Sequence, residues 1–213
     1  MGIQFALRPY RLLFKRPFGT AHGLRDGTDA LFIRLTVDGH EGWGEVTLPP
    51  YVKETVPDSI RRVEQLAREG FRAGDALLAA LDEHPALQGA PGTRAGVHTA
   101  LVDALARSRG QCVRELLNLH GSSTPITLMT IGICDTSEVA ERLDEVPTSG
   151  ALKLKIGDKA QNARVQEVMR LSGRRILLDV YEGLASVEDA AEVDAQVGDR
   201  LLGLEQPFAT VKG

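Results

Sequence analysis

Cysteine is nearly absent. The 213 residues hold two, Cys112 and Cys134, too few for a disulfide framework or a cysteine-built zinc site. A reducing cytoplasm is therefore the expected location. Aromatic residues are also sparse, at 5 % with a single tryptophan, and no basic block interleaves with them. Neither sign of charge dominates: 25 Lys and Arg stand against 29 Asp and Glu, a formal net charge of −4. Nucleic acid and membrane surfaces are thus not expected partners. No apolar run approaches the ~18–20 residues that span a bilayer; the longest, Ala76 to Leu81, has six. The opening stretch MGIQFALRPYRLLFKRPFG breaks its apolar residues with basic ones, and predicts no signal peptide. The five histidines form no H-x-x-x-H pair, and neither G-x-G-x-x-G nor G-x-x-x-x-G-K-[ST] occurs. What remains is a globular composition, 43 % hydrophobic and 25 % charged, long enough for one large domain or two small ones.

Residues 1–123 predict a small α+β unit. Residues 1–45 read as β structure, with LFIRLTV (31–37) ahead of an Asp38-Gly39 turn signal and a strand resuming at Gly42-Trp43-Gly44-Glu45. RPFGTAHGLRDGTD (16–29), rich in glycine and polar residues, predicts a mobile loop, as does TLPPYVKET (47–55). Helices are expected over Pro57–Gly70, Asp75–Asp82, Ala95–Arg109 and Cys112–Leu119, from apolar residues at helical spacing. GSSTP (121–125) reads as a linker.

Residues 124–213 repeat. Apolar segments ITLMTIG, ALKLKIG, ILLDVYEG and LLGLEQPF begin at 126, 151, 176 and 201, a constant period of 25. A fixed period of this length marks one supersecondary unit used again. The stretches between them open on capping residues, Asp135, Asp158 and Ser186, each followed by apolar residues at helical spacing. The expectation is α/β: four parallel strands, apolar and buried on both faces, with three helices, forming the first half of a TIM-like (β/α) barrel.

Barrel strands present chemistry at their C-terminal ends. Lys153 and Lys155 end the second strand, Asp179 the third and Glu205 the fourth. Residues i and i+2 on a strand share a face, and the one-repeat spacing puts the four groups at similar heights on adjacent strands. Charges in otherwise apolar strands are costly to bury, which leaves two readings. One is an ion-pair network that holds the strands together. The other is a divalent cation, most simply Mg2+, held by Asp179 and Glu205, with a lysine beside it driven toward neutrality by like charge until it serves as a general base.

These residues, in this order, resemble the enolase superfamily, muconate-lactonising subgroup. RPFGTAHG…TDALFIRLTVDGHEGWGEVTLPPYVKET is similar to its capping domain, AGVHTALVDALARSRGQCVRELLNLHG to the helix before its barrel, and TIGI, the K-x-K of Lys153 and Lys155, the Asp179 strand and LEQPF to barrel strands one to four. MTIGI and RPFGTAHG look most like dipeptide epimerases of the L-Ala-D/L-Glu type. The resemblance implies an Mg2+-dependent epimerase or racemase that removes the proton α to a carboxylate through an enediolate, on a small carboxylate or dipeptide substrate. It implies Lys155 as acid/base, Lys153 as the group that tunes it or contacts the substrate carboxylate, and Asp179 and Glu205 as two of three Mg2+ ligands. Loop residues at 18–29 and 46–55, among them Thr20, His22 and Tyr51, would contact substrate.

The chain departs from that pattern. Val180-Tyr181-Glu182 follows Asp179 where the family usually carries Asn two residues on. The third metal ligand and second lysine are expected on strands five and six, beyond Gly213. Three explanations stand: a portion of a longer chain, completion by a second copy as a homo-oligomer, or a non-catalytic remnant or assembly partner. Related activities open to the same half-reaction are o-succinylbenzoate synthase, N-acylamino acid racemase and cycloisomerase.

Overall fold

The computed structural model describes residues 3–20, 23–49, 52–69, 81, 83–121, 127–148, 150–157 and 162–209. The chain divides into two compact units: Met1–Lys15 with Gly27–Ser122, and Arg16–Asp26 with Ser123–Gly213.

The first unit is built on an antiparallel sheet in the order β1-β2-β3, with β1 at Gln4–Thr20, β2 at Gly23–Val37 and β3 at His40–Leu48. Pro9 and Pro17 fall in β1, an edge strand, where a missing N–H is tolerated. Asp38 and Gly39 take φ of 50° and 80°, and Val37 pairs with His40. Two positive φ values in a two-residue connection give the turn whose twist matches the strands it joins. Leu31, Ile33, Leu35 and Val37 alternate onto one face of β2. They meet Val63 and Leu66 of α1 (Val56–Glu69) and Val97, Ala100, Leu101 and Ala104 of α2 (Pro91–Ser108).

The helix α2 lies so close to β3 that a Cβ on Gly44 would collide with the carbonyl oxygen of Gly96, and one on Gly42 with that of Ala100. It also begins four residues before the sequence predicts. Pro91 opens it, and Glu54 supplies the cap from a distant loop, accepting from the backbone N–H of Gly92 (2.7 Å) and Thr93 (2.8 Å). No local pattern signals a cap that comes from 38 residues away. The short α3 (Val113–Leu116) follows, with Cys112 N–H donating to Glu115 at 2.8 Å. Apart from Leu81, the helix expected over 75–82 lies outside the described residues, as does the 121–125 linker apart from Gly121.

The second unit carries a parallel sheet in the order β4-β5-β6-β7: Leu128–Ile131, Ala151–Lys155, Ile176–Asp179 and Leu201–Glu205. Between them run α4 (Val139–Asp144), α5 (Asn162–Leu171) and α6 (Val187–Val197). Ser186 caps α6 by accepting from Asp189 N–H at 3.2 Å, and Glu138 accepts from Asp135 N–H at 3.0 Å in the turn before α4. The cap expected at Asp158 lies outside the described residues. Each repeat is thus strand, loop and helix, and the architecture is an antiparallel-sheet domain followed by part of a (β/α) barrel.

Two expectations require correction. The strands are not buried on both faces. Leu152, Leu154, Ile176 and Leu178 pack into the helix-side core with Val139, Val165, Val168 and Val193, whereas the alternate residues Lys153, Lys155 and Leu177 are only half-buried. Nor is 16–29 a loop over its described residues: Arg16–Thr20 extends β1 and Gly23–Asp29 extends β2. Alternation decides it, because Phe14, Arg16 and Phe18 are half-buried while Leu13, Lys15 and Pro17 are exposed, which is strand period. Within the second unit this hairpin tip is fastened by Ile133 N–H donating to Gly19 O at 3.0 Å. Arg16 adds contacts to Glu141 (2.7 Å) and Glu145 (2.8 Å).

Candidate functional site

The β alternation that sends Leu152 and Leu154 into the core turns Lys153 and Lys155 to the opposite face. Cross-strand register then sets the rest. Lys155 pairs with Asp179 across β5–β6, and Asp179 with Glu205 across β6–β7. The sequence separation is two residues longer on the second step, and the register shifts beside Ile176 and Leu177, where Leu201 and Gly203 are successive partners. The connection before Leu201 takes up one of the two extra residues and a bulge at Leu202 the other, which leaves Glu205 level with Asp179.

The four side chains meet. Lys153 Nζ lies 2.9 Å from Asp179 Oδ2 and 2.6 Å from Glu205 Oε2. Lys155 Nζ lies 2.9 Å from the same Asp179 Oδ2. Two ammonium groups share one carboxylate oxygen, and Asp179 is 2 % exposed. Its other oxygen, Oδ1, is buried and has no hydrogen-bond partner among the described residues. Glu205 is the open member, its side chain 41 % exposed.

Burial alone pushes Lys155 down, but hydrogen bonds with Tyr181 and Asp179 outweigh it, and the amine sits above its ordinary range. Burial pushes Lys153 down likewise, and Glu205 and Asp179 together raise it. With no cation beside them, Tyr181 and Asp179 favour the charged form of Lys155, and Glu205 and Asp179 that of Lys153.

Two further residues belong to this cluster. Tyr181 reaches Lys155 Nζ with its hydroxyl, and its ring centroid lies 4.3 Å from that nitrogen. Arg164, 3 % exposed on α5, donates to the carbonyls of Gly132 (3.2 Å) and Lys155, joining the ends of β4 and β5. Burial pushes its guanidinium down, and contact with Cys134 offsets this only in part. The sequence marks Tyr181 only as a departure. Arg164 is marked only by standing beside Val165 and Val168 in an apolar stripe. Of the expected substrate contacts, His22 and Tyr51 lie outside the described residues, and of Thr20 only the backbone is described, at the end of β1.

Asp179 and Glu205 suit a hard divalent cation: two carboxylates at one level, one with a buried oxygen still lacking a partner. Among the described residues no cluster of three or more such ligands occurs.

Residues 6–118 match the mandelate racemase / muconate lactonizing enzyme N-terminal domain. The chain is 31 % identical to a hydrophobic dipeptide epimerase of Roseobacter litoralis, over 90 % of this chain and 58 % of the relative. It is 27 % identical to an L-Ala-D/L-amino acid epimerase of Flavobacterium johnsoniae, over 97 % of this chain and 62 % of the relative. The fold matches the dipeptide epimerase of Methylococcus capsulatus, complexed with Mg and the dipeptide L-Arg-D-Lys, with a TM-score of 0.83 and 24 % identity, over 98 % of this chain and 62 % of that one. The chain thus spans about three-fifths of the length of these relatives. With residues 6–118, more than half of the chain, matched to that N-terminal domain, and with 31 % identity to the Roseobacter litoralis relative, the chain belongs to the mandelate racemase / muconate lactonizing enzyme family of the enolase superfamily.

Proposed function

We propose that this chain is the cap and first barrel half of an Mg2+-dependent epimerase or racemase acting on a carboxylate substrate, with a dipeptide as the preferred class. The observation that supports it most is the meeting of Lys153, Lys155, Asp179 and Glu205 on one face at the C-terminal strand ends. The names of the relatives point to the same substrate class.

In this reading Asp179 and Glu205 would hold the cation, which would supply positive charge to a substrate carboxylate whose neighbouring carbon loses a proton. Lys155, as the neutral amine left after its ammonium has given a proton to solvent, would accept that proton at Nζ and return to the charged form. Lys153, between both carboxylates, adds positive charge on the same face. Arg164 fixes the Lys155 backbone by binding its carbonyl oxygen, so the amine is delivered from a rigid strand end.

The test is solvent-deuterium exchange at the α-carbon of L-Ala-L-Glu and a panel of other dipeptides, with Mg2+, using the full natural chain. Exchange that disappears in Lys155→Ala is the expected result. Exchange that survives in that variant removes Lys155 from the reaction.

A further inference from the structure

The two lysines compete for an atom that a cation would also need. Lys153 and Lys155 both lie 2.9 Å from Asp179 Oδ2. A divalent ion on Asp179 would repel both ammonium groups. Lys153 has its other partner in Glu205, the second carboxylate proposed for the cation. For Lys155 the second holder is Tyr181, which offers a hydroxyl oxygen and a ring face to the same amine. The Phe18 ring centroid is farther off, at 6.0 Å.

The backbone pays for this arrangement. Tyr181 and the next residue, Glu182, take φ of 53° and 63°, a left-handed conformation that is unfavourable for a residue bearing a Cβ. Glycine would fit there without that cost, so what the position gains from Tyr181 is the side chain. The strained turn is clamped. Glu182 N–H donates to Gln206 O at 2.6 Å, Gly183 N–H to Val180 O at 3.1 Å and Leu184 N–H to Pro207 O at 3.0 Å. A Cβ on Gly183 would collide with the carbonyl oxygen of Gly157, so the turn is fixed on its far side too.

We infer that Tyr181 is the positioning residue for Lys155: its phenol and ring keep the amine aimed across the strand ends once Asp179 is given over to a cation. This rests on the function proposed above, and it gives a role to the residue that stands where asparagine is usual in the family.

Two measurements on the full natural chain test it separately from the reaction. In the first, acetic anhydride labelling of Lys155 is followed by mass spectrometry with and without saturating Mg2+, in the wild type and in Tyr181→Phe. The expected result is an amine that stays slow to label with Mg2+ in the wild type and labels several-fold faster in Tyr181→Phe. Equal labelling in the two proteins overturns the inference, as does labelling that ignores Mg2+ in both.

In the second, deuterium exchange at the α-carbon is expected to lose roughly ten- to a hundred-fold in kcat in Tyr181→Phe, with KM unchanged. A wild-type kcat in that variant overturns the positioning role. Tyr181-dependent labelling in a protein that exchanges no α-proton supports the positioning role and sinks the proposed reaction, so the two failures are distinct.

Discussion

Asp179 and Glu205 are register partners across the two last strands of the parallel sheet, yet they occupy opposite environments: one is 2 % exposed and the other carries a side chain 41 % exposed. The same charge is therefore a structural element at one position and an open one at its neighbour.

This asymmetry sets the first prediction. Asp179→Asn leaves the Lys153 and Lys155 ammonium groups half-buried without their shared carboxylate, and is expected to destabilise by about 3 kcal/mol. Glu205→Gln, acting on a more exposed pair, is expected to cost less than about 1 kcal/mol. Both variants are expected to lose Mg2+ binding. Urea denaturation measures the first contrast and titration calorimetry the second; equal stability losses would contradict the environments described.

The lysines give a pH dependence of definite sign. Both are raised above the ordinary value of 10.5 in the folded chain. Their contribution to stability is then complete below that value and is lost as the pH rises through the higher folded value. Without metal, Lys153→Met should lower the melting temperature at pH 8, and the gap to the wild type should narrow above pH 10.5. Thermal melts from pH 8 to 11.5 check it, and a gap that widens would refute it.

Arg164 offers a third prediction. Replacing it with methionine leaves the carbonyls of Gly132 and Lys155 without this donor, at about 1–3 kcal/mol for each one left unpaired. The loss should appear as faster amide exchange at the ends of β4 and β5, with α1 and α2 unaffected. Exchange that rises equally in both units would show that Arg164 acts elsewhere.

In the first unit, Gly44→Ala drives a methyl group into the Gly96 carbonyl. A cost of about 1–3 kcal/mol follows from overpacking, measurable by denaturant melts. Glu54→Ala, which strips the cap from Gly92 and Thr93, is expected to cost about 0.5–2 kcal/mol.

How much of this the sequence carries depends on whether the cause is local. The four parallel strands and their order are legible because the 25-residue period repeats the same apolar pattern, and the helix starts at Asp135 and Ser186 because their caps lie within one turn. The start of α2 is not legible, since Glu54 caps it from afar. The strand character of 16–29 is masked by glycine and polar residues, although the alternation of Phe14, Arg16 and Phe18 was there to be read. Lys153, Lys155, Asp179 and Glu205 stand out because charge is rare in such strands. The direction in which the lysines are driven is not visible in spacing, because it turns on whether carboxylates or a cation lie nearest. Tyr181 required the left-handed turn to aim it, and one-dimensional order does not show that.

The hairpin tip bears on how this protein can be dissected. Arg16–Asp26 belongs with Ser123–Gly213, so a proteolytic or genetic cut placed where the repeats begin would leave behind the carbonyl of Gly19 that receives Ile133 and the guanidinium that grips Glu141 and Glu145. An excised C-terminal fragment would be missing a piece supplied from near the other terminus, and its folding should be recovered by adding back a peptide that spans those early residues.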